Sequence, residues 1–136
     1  MKHLLLVVVI TLTATFCIGQ SLQKGNLLGF HVMTVTLKGD ATMDQFETFY
    51  STKVIPVYEK AFGVKGYLVK GVRGDNENGV GVVWVFKSGA DRDKFFKADG
   101  TMTDSGNEAS KKIAAVDTEL EKLGSMTTKY TDWVVR

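Results

Sequence analysis

The stretch VGVVWVF at residues 80–86 constrains the fold more than any other part of the sequence, because it contains no polar side chain. Successive side chains of a β-strand point to opposite faces of the sheet, so Trp84 and Phe86 share one face while Val83 and Val85 share the other. Helices on one side would cover only one of these faces, and folded monomers rarely leave a large apolar area in water. The sequence therefore predicts a second cover, which the same face of a second copy would supply most simply.

Three further segments have the composition of strands. Residues 30–38, FHVMTVTLK, and 66–73, GYLVKGVR, are rich in β-branched and aromatic residues, and so is the closing segment TTKYTDWVVR at 127–136. With 80–86 and two amphipathic helices, the order is strand, helix, strand, strand, helix, strand. This order predicts an α+β fold of the ferredoxin-like βαββαβ type, with a four-stranded antiparallel sheet and the helices on one face.

The two long helices are marked by capping residues and by apolar periodicity. Thr42 and Gln45 have the spacing of a capping box at the start of the first helix. Pro56 lies inside this helix and predicts a kink or a break near residues 52–56, because proline lacks the backbone N–H. The second helix carries its buried stripe over residues 109–123.

A short polar patch, SGADRD at residues 88–93, follows the third strand. Ser88 is placed to cap a short helix, and Asp91, three residues later, complements the positive end of the helix dipole. We expect Arg92 and Asp93 to face water. The patch is therefore interpreted as the start of a helix and not as a site of chemistry.

The first residues have the layout of a secretory signal peptide. Residues 1–19, MKHLLLVVVITLTATFCIG, combine a short polar start, an apolar centre and small residues before the expected cleavage after Gly19. The apolar run is shorter than the roughly 20 residues that span a bilayer, so a membrane anchor is not expected after cleavage. A lipoprotein is the alternative because of Cys17, but Phe16 stands where that processing requires a small residue. We predict a secreted or periplasmic protein with one domain at 20–136.

The charge and the metal-binding residue types exclude several classes of function. The chain has 17 basic and 15 acidic residues, a balance that argues against a nucleic-acid partner. Its single cysteine lies in the predicted signal peptide, so the exported domain has no disulfide. His31 is the only histidine outside that segment, too few soft ligands for a zinc site. No metal and no cofactor are expected.

Two segments resemble a known superfamily. HVMTVTLKGDATMDQFETFYSTKVIPVYEKAFGVKGYLVKG (31–71) and VWVFKSGADRDKFF (83–96) are similar to the dimeric α+β barrel superfamily, in particular its antibiotic-biosynthesis-monooxygenase-like and stress-responsive barrel groups. The resemblance implies a homodimer whose two sheets form a barrel with an apolar cavity. Haem-degrading members bind iron through a histidine on the helix after the third strand, and the corresponding segment here, ADRDKFFKAD (90–99), has none.

Two residues are candidates for catalysis. His31 is the side chain suited to proton transfer near neutral pH, and Trp84 could stack on an aromatic substrate. His31 alternates with Met33 and Val35 on the side of the strand expected to face the helices, so a packing role is its alternative. Asp132 would be a further base if it faced inward, and an exposed edge position is its alternative.

The ligand-binding candidates are mostly aromatic. Trp84 and Phe86 share a face and, together with Tyr67 or Tyr130, could line the barrel cavity and stack on a planar ligand. The alternative is that these rings form the core of the dimer, because aromatic side chains bury large areas. Arg73 ends the second predicted strand, where it could anchor an anionic ligand or simply be solvated.

Three functions fit these residues. The first is an exported homodimeric barrel that binds a small apolar or aromatic ligand without a cofactor. The second is a cofactor-independent monooxygenase that acts on a quinol-like aromatic, with His31 and Trp84 in its site. The third is a non-catalytic dimerisation module whose own aromatic residues fill the cavity. Because the superfamily hosts many reactions, the fold does not select among them.

Overall fold

The computed structural model describes residues 21–136, and the predicted signal peptide with its cleavage after Gly19 lies outside the described residues. The helices and strands follow one another in the order β1 (Leu27–Leu37), α1 (Met43–Phe49), a π-helical turn (Tyr50–Val54), α2 (Ile55–Phe62), β2 (Lys65–Lys70), β3 (Val80–Phe86), α3 (Gly89–Asp93), α4 (Asp104–Leu123) and β4 (Gly124–Val134).

The four strands form one antiparallel sheet in the order β2-β3-β1-β4. This confirms the predicted α+β fold with a four-stranded antiparallel sheet, and the topology is compatible with a ferredoxin-like fold. The third strand has the predicted bounds. The second strand ends at Lys70, earlier than predicted, and Arg73 therefore lies in the connection to β3 and not in the strand. The last strand begins at Gly124, directly where α4 ends, and closes at Val134, so both of its ends lie earlier in the chain than in the predicted 127–136.

The predicted disturbance around Pro56 takes the form of a π-helical turn. The capping box of Thr42 and Gln45 starts α1, and the π-helical turn Tyr50–Val54 then leads into α2. Pro56 follows shortly after this turn, and the backbone keeps right-handed helical angles through Val54 and Ile55, so the π-helical turn accommodates the missing N–H without breaking the helix. Gly63 ends α2 with φ of 64°, the left-handed conformation that favours glycine.

The core lies between the helices and one face of the sheet. Val82, Trp84 and Phe86 of β3 are buried on this face, and Met33 lies beside them on β1. The indole of Trp84 lies against Gly66 of β2, where any side chain would overlap its ring. The predicted stripe of α4 closes the core from above through Ala109, Ile113 and Leu120. No helix within residues 21–136 is both long and apolar enough to cross a membrane.

The opposite face of the sheet has an apolar centre, with Lys65 on β2 and Lys129 on β4 toward its edges, and it is uncovered within residues 21–136. The strand register places Tyr67, Val83 and Phe30 side by side across β2, β3 and β1, with Leu28 and Trp133 adjacent across β1 and β4. The most exposed apolar side chains on this outer face are between 40% and 60% exposed: Phe30, Val32, Tyr67, Val69 and Trp133. The predicted second apolar face is confirmed.

Candidate functional site

A cavity of about 320 Å³ lies between the helices and the sheet face that they cover. Its walls come from β1, β3 and β4 of the sheet, from the π-helical turn, α2 and α4 of the helical layer, and from the segment after α3 at one end. Small-molecule sites occupy roughly 300–1,000 Å³, so this volume suits a ligand of about one aromatic ring with substituents. The cavity lies within one chain, whereas the sequence predicted a cavity between two facing sheets.

Aromatic side chains form most of the apolar wall. Tyr58 stacks on Trp84 with ring centroids 5.5 Å apart and an interplanar angle of 16°. Phe62 stacks on Phe96 at 5.6 Å, and Phe86 extends the same wall along β3. Flat rings held in this way offer π faces against which a planar ligand can pack, because offset stacking adds to the gain from burying its surface.

Arg92 lies inside the protein, so the prediction that it faces water is wrong. Its side chain is only 10% exposed, and its Nε lies 3.2 Å from Oδ2 of Asp132 on β4. Its Nη1 donates to the carbonyl oxygens of Phe96 (3.1 Å) and Lys97 (2.8 Å). A buried guanidinium loses its hydration, and the carboxylate and the two carbonyls offset this loss. The arginine thereby fastens the segment after α3 to the last strand.

The rest of the polar patch caps α3 as predicted. The Ser88 hydroxyl accepts the backbone N–H of Asp91 at 3.1 Å and donates to its carboxylate at 2.8 Å. Hydrogen bonds from Lys94 and Ser88 lower the pKa of Asp91, which keeps a negative charge at the positive end of the helix.

His31 and Asp132 form the polar end of the cavity. A Cβ on Gly29 would lie 3.2 Å from Oδ1 of Asp132 and 3.5 Å from Nε2 of His31, so both atoms occupy the space that the missing side chain leaves. His31 also stacks on Tyr130, with centroids 5.3 Å apart. Burial lowers the pKa of His31, the Asp132 carboxylate opposes this effect, and Arg92 adds to it. The imidazole is therefore neutral at pH 7 and able to accept a proton.

Two phenols from the helices complete the lining. The Tyr58 hydroxyl donates to Asp117 of α4, with oxygen distances of 3.0 and 3.2 Å. Burial, with the nearby Asp117 charge, raises the pKa of Tyr58 and of Tyr50, so both phenols stay protonated. Burial also raises the pKa of Asp117, against the Tyr58 hydrogen bond and together with the charge of Glu121.

The structure brings four of the six predicted site residues together. Within this cavity lie His31, Trp84, Phe86 and Tyr130. His31 is on the helix-facing side of β1, as predicted. Tyr67 lies on the outer face, opposite Trp84, and Arg73 is exposed in the loop between β2 and β3. Neither reaches the cavity.

The cavity is also lined by Arg92, which was expected to face water, and by Asp132, whose direction was left open. Tyr50 of the π-helical turn and Tyr58 of α2 line it as well and were not among the predicted site residues. The spacing of Ser88 and Arg92 could have indicated the burial of Arg92. The two residues are four positions apart, about one helical turn, so Arg92 lies on the same side of α3 as its N-cap, which adjoins the sheet. Among residues 21–136, no group of three or more His, Cys, Asp and Glu side chains is arranged to hold a metal ion.

Comparison with known proteins leaves the family open. No protein-family model matches the sequence, and no curated protein matches it. The resemblance to dimeric α+β barrels therefore stays a prediction, and the function has to be argued from the cavity itself.

Proposed function

We propose that this protein binds a small, planar, largely apolar ligand in the cavity between its sheet and its helices. The observation that carries the proposal is the combination of a volume of about 320 Å³ with an aromatic wall and one polar end. A binding site that is mostly apolar, with a few polar groups at fixed positions, is typical of small-molecule sites. Trp84 and Tyr58 supply the stacking surface, and His31 and Asp132 supply the groups that orient the ligand.

The proposal includes export and dimerisation. The signal-peptide pattern of residues 1–19 supports secretion or a periplasmic location. The uncovered outer face supports a homodimer in which two sheets face each other as a dimeric barrel, because a patch of this kind is self-complementary under a twofold axis. In this arrangement the ligand cavities lie on the far sides of the two sheets, one in each chain.

A second candidate function is a cofactor-independent monooxygenase that acts on a quinol-like aromatic. The observation that favours it is the position of His31 inside the cavity, where burial lowers its pKa and would leave the imidazole free to take the proton of a ring hydroxyl. The balanced reaction converts a hydroxylated aromatic ring and O2 into a quinone and water. It is tested by oxygen uptake with a panel of quinols. If His31→Ala and Trp84→Phe leave every measurable rate unchanged, these two residues have no catalytic role.

The binding proposal is tested by tryptophan fluorescence. The chain has two tryptophans, Trp84 in the cavity and Trp133 on the outer face, so Trp133→Phe leaves Trp84 as the only reporter. Titration with p-xylene and larger planar aromatics is expected to change the Trp84 emission in a saturable way. The matched variant Trp84→Phe, which keeps Trp133, is expected to show no saturable change. Absence of any saturable response would refute the binding proposal and favour a dimerisation module with a filled core.

The dimer is tested by light scattering. Trp133→Glu places a charge at the most exposed aromatic of the outer face and is expected to reduce the molar mass from two chains to one. Val72→Glu is the matched control, because Val72 is also exposed but lies in the loop between β2 and β3. A parent protein with the mass of one chain would refute the dimer.

A further inference from the structure

Several polar atoms around the cavity have unused hydrogen-bonding capacity. Within residues 21–136, neither ring nitrogen of His31, nor Oδ1 of Asp132, nor the hydroxyl of Tyr50 forms a hydrogen bond, although Tyr50 is only 3% exposed. The described residues also contain no fully buried side-chain nitrogen or oxygen without a partner. The Tyr50 hydroxyl therefore opens into the cavity that it lines. Buried polar groups are almost always satisfied, so these atoms are available to a ligand or to water.

The charges at the polar end are already balanced. Among the described residues that line the cavity, Arg92 is the one cation and Asp132 the one carboxylate. Their ion pair leaves no free positive charge for an anionic ligand, and the same guanidinium would repel a cationic ligand that approached Asp132. Adding a charge of either sign to a balanced, partly buried pair costs desolvation without a matching partner.

Oδ2 of Asp132 faces Arg92, and its other oxygen, Oδ1, faces His31 across Gly29. An acceptor in this position favours a ligand group that can donate a hydrogen bond. Hydrogen bonds to charged acceptors are the stronger ones, and an acceptor left without a donor loses that gain. The site therefore distinguishes a hydroxyl or an amide N–H from an ether of the same shape.

From these contacts we infer that the cavity selects an uncharged aromatic ligand carrying a hydrogen-bond donor, which docks on Asp132 Oδ1 and His31, while Arg92 serves as the fixed counterion of Asp132 and not as an anion receptor. This inference rests on the proposed function and deepens it by naming the ligand class. The Tyr50 hydroxyl offers a second polar contact to a substituent elsewhere on the ring.

The test uses matched probes in the Trp133→Phe background: 4-methylbenzyl alcohol, its methyl ether, 4-methylbenzoate and 4-methylbenzylamine. The alcohol is expected to bind about tenfold more tightly than the ether, the factor that one added hydrogen bond to a charged group supplies. An apolar cavity with no free acceptor would give the reverse order, because the ether is the less hydrated of the two. The alcohol is also expected to bind more tightly than the acid and the amine.

The decisive variant is Asp132→Asn, which keeps the shape and removes the negative charge. Arg92 then loses its partly buried counterion and keeps only the exposed Asp93 carboxylate, so the ratio of benzoate affinity to alcohol affinity is expected to rise by about tenfold or more. The matched control is Asp93→Asn: Asp93 Oδ1 lies 3.7 Å from Arg92 Nη1, but its side chain is 68% exposed and does not line the cavity. This control is expected to leave the ratio unchanged. Arg92→Gln, a second variant, is expected to shift the preference toward the amine.

The outcomes separate the inference from the proposed function. If p-xylene binds but the ether binds as well as the alcohol, or the benzoate ratio is the same in Asp132→Asn as in the parent, the ligand class is wrong and the binding function stands. An equal shift in Asp93→Asn would also overturn it, since the effect would then come from net charge. If neither p-xylene nor any of the four probes binds, both the proposed function and the inference fail.

Discussion

The strongest test of the architecture of the site is the replacement of Arg92 by methionine. Methionine keeps most of the apolar stem and removes the guanidinium, which in the parent pairs with Asp132 and donates to the carbonyls of Phe96 and Lys97. The change leaves a carboxylate without its cation and two carbonyls without their donor. Because Arg92 is 10% exposed, water replaces these contacts only in part.

The expected loss follows from these contacts. Removing one partner of a buried ion pair costs about 3–5 kcal/mol, because the other charge is left unpaired. Asp132 is 29% exposed and can be rehydrated in part, so we expect the low end of that range, about 3 kcal/mol. Asp132→Asn is expected to cost less, about 1 kcal/mol, since Arg92 keeps both carbonyl acceptors.

The assay is urea denaturation of the single variants and of the double variant Arg92→Met with Asp132→Asn. A coupling free energy of about 1 kcal/mol between the two sites is expected, the size found for residues in one ionic network. Asp93→Asn is the control and is expected to change the free energy of unfolding by less than about 0.5 kcal/mol, because the side chain of Asp93 is mostly exposed. A loss for Arg92→Met no larger than that of this control would refute the buried ion pair.

Two further predictions concern pH and packing. Burial holds the pKa of His31 below 6.5, so the unfolded chain binds a proton more readily and the free energy of unfolding falls as the pH drops below about 6.5. The raised pKa of Asp117 has the opposite effect on the free energy of unfolding at lower pH, so His31→Gln is the reference. The urea midpoint of the parent is expected to fall more between pH 7.5 and pH 5.5 than that of His31→Gln. An equal fall in the two proteins would contradict the prediction. Gly66→Ala is expected to destabilise the fold by about 1–3 kcal/mol and to shift Trp84 emission, because the new methyl group overlaps the indole. Gly89→Ala, whose Cβ would lie 3.8 Å from the nearest side chain, is the control, and equal melting temperatures of the two variants would refute the predicted overlap.

Local signals predicted most of the fold. The alternation in 80–86, the capping box at Thr42 and the cap at Ser88 each depend on residues a few positions apart, and the structure confirms all three. The position of Pro56 predicted a disturbance of the first helix but not its form. A π-helical turn depends on how the helix packs over the sheet, which is not a local property.

The site was less predictable, for a reason that two residues illustrate. Strand periodicity puts Trp84 with Phe86 on one face of β3 and His31 with Met33 on one face of β1, and it needs no tertiary information. The pairing register of the two strands, which the structure supplies, puts these two faces on the same side of the sheet. The sequence does not indicate which side holds a cavity. The apolar face without helices suggested a barrel between two sheets, whereas the cavity of residues 21–136 lies beneath the helices, where Gly29 and Gly100 leave room against β4.

The sequence by itself determined the order of strands and helices along the chain, the helix caps at Thr42 and Ser88 and the two apolar faces of the third strand, because periodicity and capping act over short distances. Only the tertiary structure decided that Arg92 is buried and that Asp132 faces it. These two residues are far apart in the chain. They meet because α3, which follows β3, lies over the sheet near Asp132, where β4 pairs with β1. Burial of a charge depends on a partner from another element, and no local pattern around Arg92 encodes that partner.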